Sequence, residues 1–169
     1  MTQLHRRSFL VTATALSGFA ALGASSALAA DAQDAFNADP IRKISDADWK
    51  KKLGGGLAYT VLRQEDTERP FTNVLLDEHR AGVFHCKGCD LPLFESKWKY
   101  DSHTGWPSYF DVMKQNISNK SDHKLAFEAR TEYHCARCLG HQGHVFNDGP
   151  KPTGLRYCNN GAALTFKPA

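Results

Sequence analysis

Apolar residues in this chain fall in short runs, and the run lengths and the residues between them predict its elements. From Leu57 onward the stretches AYTVLR, GVFHC, LAFEAR, EYHC, GHVF, LRYC and ALTF are apolar or alternating, and Gly, Pro, Asn and Asp separate them. Alternation puts every second side chain on one face of an extended strand, and the intervening turn residues favour reversals. The pattern predicts an antiparallel, mainly β domain from about Leu57 to Phe166. One segment reads differently: SDADWKKKL offers Ser45 as an N-cap with Asp48 three residues on, and Gly54 to Gly56 close it, which predicts a short helix. No sustained helical period, solenoid-length repeat or low-complexity tract is found after WKKKL.

The first residues change the picture of where the domain works. Arg6 and Arg7, followed by Ser8, Phe9 and Leu10, open a moderately apolar run free of acidic residues that ends in small ones. This resembles a twin-arginine export signal, which carries proteins across a membrane already folded, with an A-x-A pattern before a cut after Ala29. A membrane-anchoring helix is the competing reading, but Gly18 and Gly23 interrupt a weakly hydrophobic segment. The expected organisation is a signal over 1–29, a polar, alanine-rich linker over 30–44 and one domain over 45–169. A periplasmic or otherwise exported monomer without a stable membrane anchor follows as the expectation. The formal charge is +3, and it falls to +1 without Arg6 and Arg7, since residues 1–29 carry no acid. No basic run survives, which argues against nucleic acid or an acidic membrane as partner.

Four of the five cysteines come as CKGC (Cys86, Cys89) and CARC (Cys135, Cys138). A CxxC turn puts two sulfurs on one metal, and two such turns make a closed, tetrahedral, structural zinc site. The long gap between them means that the metal would staple distant strands rather than fold a finger. Two disulfides compete with this reading, as is natural for an exported chain. Export of an already folded chain favours the metal, because zinc can load while the thiols are reduced. Covalent haem is excluded, because Asp90 and Leu139 follow the pairs instead of histidine.

Cys158, in GLRYCNNG, is alone. On a strand, Arg156, Cys158 and Asn160 share a face, where a guanidinium favours the thiolate and an amide can bind substrate. A buried, inert thiol is the alternative. HQGHVFNDGP brings His141, His144 and Asp148, groups suited to moving a proton near neutral pH or to ordinary polar roles. Trp106, before Pro107 in HTGWPSYF, could wall an apolar pocket or pack in the core.

In order along the chain, YTVLRQEDTERPFT, CKGC, LFESKWKYDSHTGWPSY, TEYHCARC, GHQGHVFNDGP and GLRYCNN resemble the B-type methionine-R-sulfoxide reductases from Tyr59 to Phe166. The resemblance implies two antiparallel β-sheets in a twisted sandwich or tent, a short N-terminal helix, and a structural zinc on Cys86, Cys89, Cys135 and Cys138. It implies reduction of methionine-R-sulfoxide in oxidised proteins or peptides, with Cys158 as nucleophile. Trp106 would receive the substrate methyl group, and His141, His144, Asp148, Arg156 and Asn160 would surround the sulfoxide. The chain departs from the family's pattern in three places. Thr104 stands where many members carry a resolving cysteine, Gln142 replaces the usual leucine between the histidines, and Asn159 and Gly161 replace isoleucine and serine beside Asn160. Without a resolving cysteine, the recycling partner is expected to be an external thiol, either thioredoxin-like, glutaredoxin-like or small. A zinc-stapled module without activity and a CxxC disulfide oxidoreductase are the alternatives.

Overall fold

Helix α1 (Asp46–Lys52) forms where the capping pattern predicts it. The Asp48 backbone N–H donates to Ser45 Oγ at 3.2 Å, and the Ser45 hydroxyl donates to Asp48 Oδ2 at 2.6 Å. Asp46 and Asp48 in the first turn and Lys50, Lys51 and Lys52 in the last complement the helix dipole. AYTVLR, in contrast, is not a strand: it lies in helix α2 (Leu57–Gln64). The residues it buries, Ala58, Tyr59, Val61 and Leu62, are spaced i, i+1, i+3 and i+4. That spacing is one stripe of a helix, whereas a strand would divide these residues between two faces. A helical period therefore does continue past WKKKL, and among the described residues strands begin only at Gly82.

The computed structural model describes residues 35–122 and 130–169. The expected signal over 1–29, and LAFEAR except for Arg130, lie outside the described residues. The end of the expected linker is folded onto the domain. Pro40–Lys43 forms a 3-10 turn from which Arg42 Nε and Nη2 donate to the carbonyls of Arg137 and Ala136 at 2.7 and 2.6 Å.

Strands β1 (Gly82–Cys86), β2 (Pro92–Glu95) and β9 (Leu164–Pro168) form a three-stranded sheet in the order β2-β1-β9. The second sheet holds β3 (Lys99–Tyr100), β4 (Ser108–Tyr109), β5 (Ile117–Asp122), β6 (Arg130–Cys135), β7 (His141–Phe146) and β8 (Arg156–Asn159). Its six strands run in the order β3-β4-β8-β7-β6-β5, and the pairings in both sheets are antiparallel. GVFHC, EYHC, GHVF, LRYC and ALTF thus fall on strands β1, β6, β7, β8 and β9, and the domain is mainly β with two sheets, as expected.

Aromatic residues fill the space between the sheets. Phe94 of β2 stacks on Tyr109 of β4 with centroids 4.0 Å apart, and Phe84 of β1 meets Tyr109 edge-on at 5.2 Å. Tyr133 and Tyr157 complete the cluster at 5.6 Å from each other. The Tyr109 hydroxyl is buried without a hydrogen-bond partner among the described residues, and burial pushes the phenol well above its usual range. An unsatisfied buried hydroxyl costs about 1–3 kcal/mol. Tyr109→Phe keeps the stacked ring and removes that cost, so urea unfolding should show a stabilisation of about 1 kcal/mol. A destabilised variant would mean that the hydroxyl has a partner in solution.

Candidate active site and metal centre

Cys86 ends β1, Cys135 ends β6, and each is followed by a tight turn carrying its partner. Leu139 N–H donates to the Cys135 carbonyl at 2.9 Å and Asp90 N–H to that of Cys86 at 2.7 Å, with Asp90 and Leu139 in the left-handed region at φ 63° and 57°. The two like turns face each other and bring one sulfur of each cysteine within 4.8 Å of the others, all buried. Cys86 Sγ lies 3.6 Å from Cys138 Sγ, and Cys89 Sγ lies 3.4 Å from Cys135 Sγ, far longer than a disulfide bond. These separations suit four sulfurs about 2.3 Å from a central ion. Hydrogen bonding within the cluster pushes the Cys86 and Cys135 thiols well above their usual range and pulls Cys89 and Cys138 below it. Four buried sulfurs this close fit a metal ion, which would hold all four as thiolates. Arg63 Nη1 donates to the Cys138 carbonyl at 3.1 Å and Arg137 Nη1 to that of Cys89 at 3.2 Å, so positive charge surrounds the cluster.

Cys158 lies on β8, paired with Ser108 of β4 on one side and His144 of β7 on the other. It opens onto a cavity of about 110 Å³ lined by Thr67, Trp106, Gly143, His144, Phe146, Cys158, Asn159 and Asn160. At ~30 Å³ per water in the liquid, the space takes a few heavy atoms, the end of a side chain rather than a nucleotide. Gly143 is required here: a Cβ would stand 1.9 Å from the Cys158 carbonyl oxygen. Burial raises the Cys158 thiol above its usual range, opposed by the positive charge of Arg156 and by a hydrogen bond with Thr104. Arg156 is held by Asp148, with Nε and Nη2 donating to Oδ1 and Oδ2 at 2.8 and 2.7 Å, and its guanidinium lies 4.3 Å from the centre of the Phe146 ring. Arg156 and Asp148 flank the cavity without lining it.

His141 and His144, three apart, would face opposite sides of a regular strand. The β6–β7 register runs Tyr133↔Gly143 and then His134↔His141, so Gln142 is an extra residue in β7. This bulge turns the strand and brings the two imidazoles within 5.5 Å, centre to centre. His144 reaches the cavity. His141, 1% exposed, stands behind it with Nδ1 2.5 Å from Glu132 Oε1 and Nε2 3.5 Å from Asn160 Nδ2. Glu132, His134 and His141 also have a metal-binding donor set. Their nitrogens already meet Glu132 Oε1, however, and the Lys120 ammonium lies 3.8 Å from Oε2, so the carboxylate has its cation.

Glu68 carries no sequence signal as a site residue, yet it joins the walls of the cavity. Its carboxylate is 2% exposed and accepts from Gly161 N at 2.6 Å, Ala162 N at 2.8 Å and Asn73 Nδ2 at 3.0 Å. Its backbone N–H donates to Asn160 Oδ1 and its carbonyl accepts from Trp106 Nε1, both at 3.0 Å. Gly161 is matched to this arrangement, because a Cβ there would meet Asn73 Cγ at 2.3 Å. Asn159 is satisfied too: Tyr133 Oη donates to its Oδ1 and its Nδ2 donates to the Asn160 carbonyl, both at 2.7 Å. Glu68→Gln puts an NH₂ where one backbone N–H needs an acceptor. It should lower stability in urea unfolding by about 2–3 kcal/mol. A loss under about 0.5 kcal/mol would remove Glu68 from this role.

A family profile described as the SelR domain matches residues 56–168. The chain is 48% identical over 124 residues to "Peptide methionine sulfoxide reductase B1, chloroplastic" of Oryza sativa subsp. japonica, covering 73% of this chain and 58% of that protein. It is 47% identical over 124 residues to "Peptide methionine sulfoxide reductase MsrB" of Agrobacterium fabrum, covering 73% of this chain and 91% of the relative. The protein of the same name from Leptospira interrogans is 46% identical over 123 residues, which cover 73% of this chain and 93% of its own. Because the profile match runs from the cap of α2 to the end of β9, through both cysteine turns and the strand that carries Cys158, the chain belongs to the SelR family, the B-type methionine sulfoxide reductases.

Proposed function

We propose that this chain reduces methionine-R-sulfoxide in oxidised proteins and peptides, with Cys158 as nucleophile and an external thiol as reductant. The observation that carries the reading is the side-chain-sized cavity into which Cys158 opens beside Trp106, His144 and Asn160. The apolar face of Trp106 suits the methyl group of the sulfoxide, and its indole is held by Glu68. The Cys158 thiolate attacks the substrate sulfur while the His144 imidazolium donates a proton to the sulfoxide oxygen. His144 takes this part rather than His141, which lies behind Asn160. The oxygen ends on Cys158 as sulfenic acid and the substrate leaves as a thioether, so cysteine is oxidised by the two electrons that the sulfoxide gains.

Thr104 lies beside the sulfur and has no thiol to offer, and the other four cysteines are gathered in the metal cluster. A first external thiol therefore condenses with the sulfenic acid, releasing water and forming a mixed disulfide. A second thiol frees Cys158 and leaves as the external disulfide. Cys86, Cys89, Cys135 and Cys138 hold zinc, which supplies a structural cross-link. Their burial argues against CxxC exchange, which needs an accessible sulfur. The twin-arginine-like pattern over residues 1–29 supports a role outside the cytoplasm, the repair of oxidised envelope proteins; a mature N-terminus at Ala30 in the exported fraction is the expected result, and retention of the uncut chain in the cytoplasm would overturn it.

The test gives zinc-loaded protein a peptide containing both sulfoxide epimers together with dithiothreitol and follows each by chiral chromatography. Loss of the R epimer alone is expected. Consumption of the S epimer, or of neither, would overturn the reading.

A further inference from the structure

The bulge residue Gln142 is the least expected side chain in the site. It is 0% exposed, and its Nε2 donates to Cys86 Sγ at 3.4 Å while its Oε1 is buried with no hydrogen-bond partner among the described residues. Its own carbonyl accepts from Asn160 N at 2.8 Å and from Asn160 Nδ2 at 3.1 Å. One residue thus touches the sulfur cluster with its side chain and the cavity wall with its backbone. A leucine would fill similar space without leaving an oxygen unsatisfied. An N–H donor to sulfur offsets that cost best when the sulfur is anionic, because hydrogen bonds to a charged acceptor are about twice as strong as neutral ones. Cys86 is anionic when it ligates a metal.

We infer that Gln142 is a positioning residue of the metal centre, its amide N–H fixing the Cys86 thiolate toward the bound ion and so anchoring the bulge whose carbonyl holds Asn160. The inference rests on the reading of the four cysteines as a zinc site. Groups hydrogen-bonded to metal ligands orient them, and losing one typically costs 10–100-fold in metal affinity.

Zinc content of the unaltered full chain is measured first, and a metal-free preparation would sink the zinc reading itself, and this inference with it. Gln142→Leu is then compared with the unaltered protein in two ways. Zinc transfer to a chromophoric chelator should be about tenfold faster or more in the variant. In the cobalt-substituted proteins the sulfur-to-cobalt charge-transfer band should move, since a hydrogen bond to the thiolate alters its donor strength. Equal transfer rates with an unmoved band would overturn the inference. Faster transfer with an unmoved band and a lowered melting temperature would also overturn it, showing that Gln142 acts only through packing.

Discussion

Cys158→Ser should abolish sulfoxide reduction, lowering turnover by about four orders of magnitude or more while metal content and unfolding midpoint hold. A serine hydroxyl stays protonated at neutral pH and cannot be oxidised to a sulfenic acid, so both the attack and the acceptance of oxygen are lost. The fold should tolerate the change, because Cys158 is only partly buried and faces the cavity rather than the aromatic core. The sulfur also carries a pH signature. Burial raises its thiol above the usual range even after the opposing pull of Arg156 and Thr104, so the thiolate is the minor form at neutral pH. Alkylation of Cys158 in zinc-loaded protein should therefore rise about tenfold per pH unit from pH 7 to 8 and continue rising past the ordinary thiol pKa of about 8.5. Residual turnover in the serine variant would assign the chemistry to another group, and an alkylation plateau near pH 7 would mean that Arg156 outweighs burial.

The parts legible in the sequence were those encoded by local spacing. CKGC and CARC specify their turns over four residues each, and the five apolar runs on β1 and β6 to β9 are short enough for alternation to mark them. AYTVLR misled because six residues fit either period: only the burial of Ala58, Tyr59, Val61 and Leu62 along one stripe makes it a helix. Strand β5, ISNKSD, is a polar edge strand with no apolar face to announce it. The bulge at Gln142 was out of reach for a different reason. Register is a property of two strands, and whether His141 and His144 share a side depends on how β7 pairs with β6. Glu68 works through contacts up to 94 positions away, to Ala162, which no local pattern records.

Cys135→Ser should strip the metal and cost about 4 kcal/mol, seen as a fall of roughly 15 °C in the thermal unfolding midpoint. Cys135 ends a strand of the six-stranded sheet and Cys86 a strand of the three-stranded one, so an ion held by the four cysteines would cross-link the two sheets. The bond is long-range: Cys86 and Cys138 are 52 positions apart. Opening a covalent cross-link around a loop of about 50 residues returns ~4 kcal/mol of chain entropy to the unfolded state, and a metal clip closes the loop in the same way. Serine is a poor ligand for this soft four-sulfur site, and the three remaining thiols are left crowded and buried. Arg137→Ala is the control: it removes a partly exposed ion pair with Asp39 at 2.7 Å and the hydrogen bond to the Cys89 carbonyl beside the same turn, but leaves the four sulfurs in place. A solvent-screened pair of this kind and one hydrogen bond stabilise far less than a metal cross-link. If Cys135→Ser melts no lower than Arg137→Ala, the sheets are held by the aromatic core alone and the cysteine cluster is not the staple.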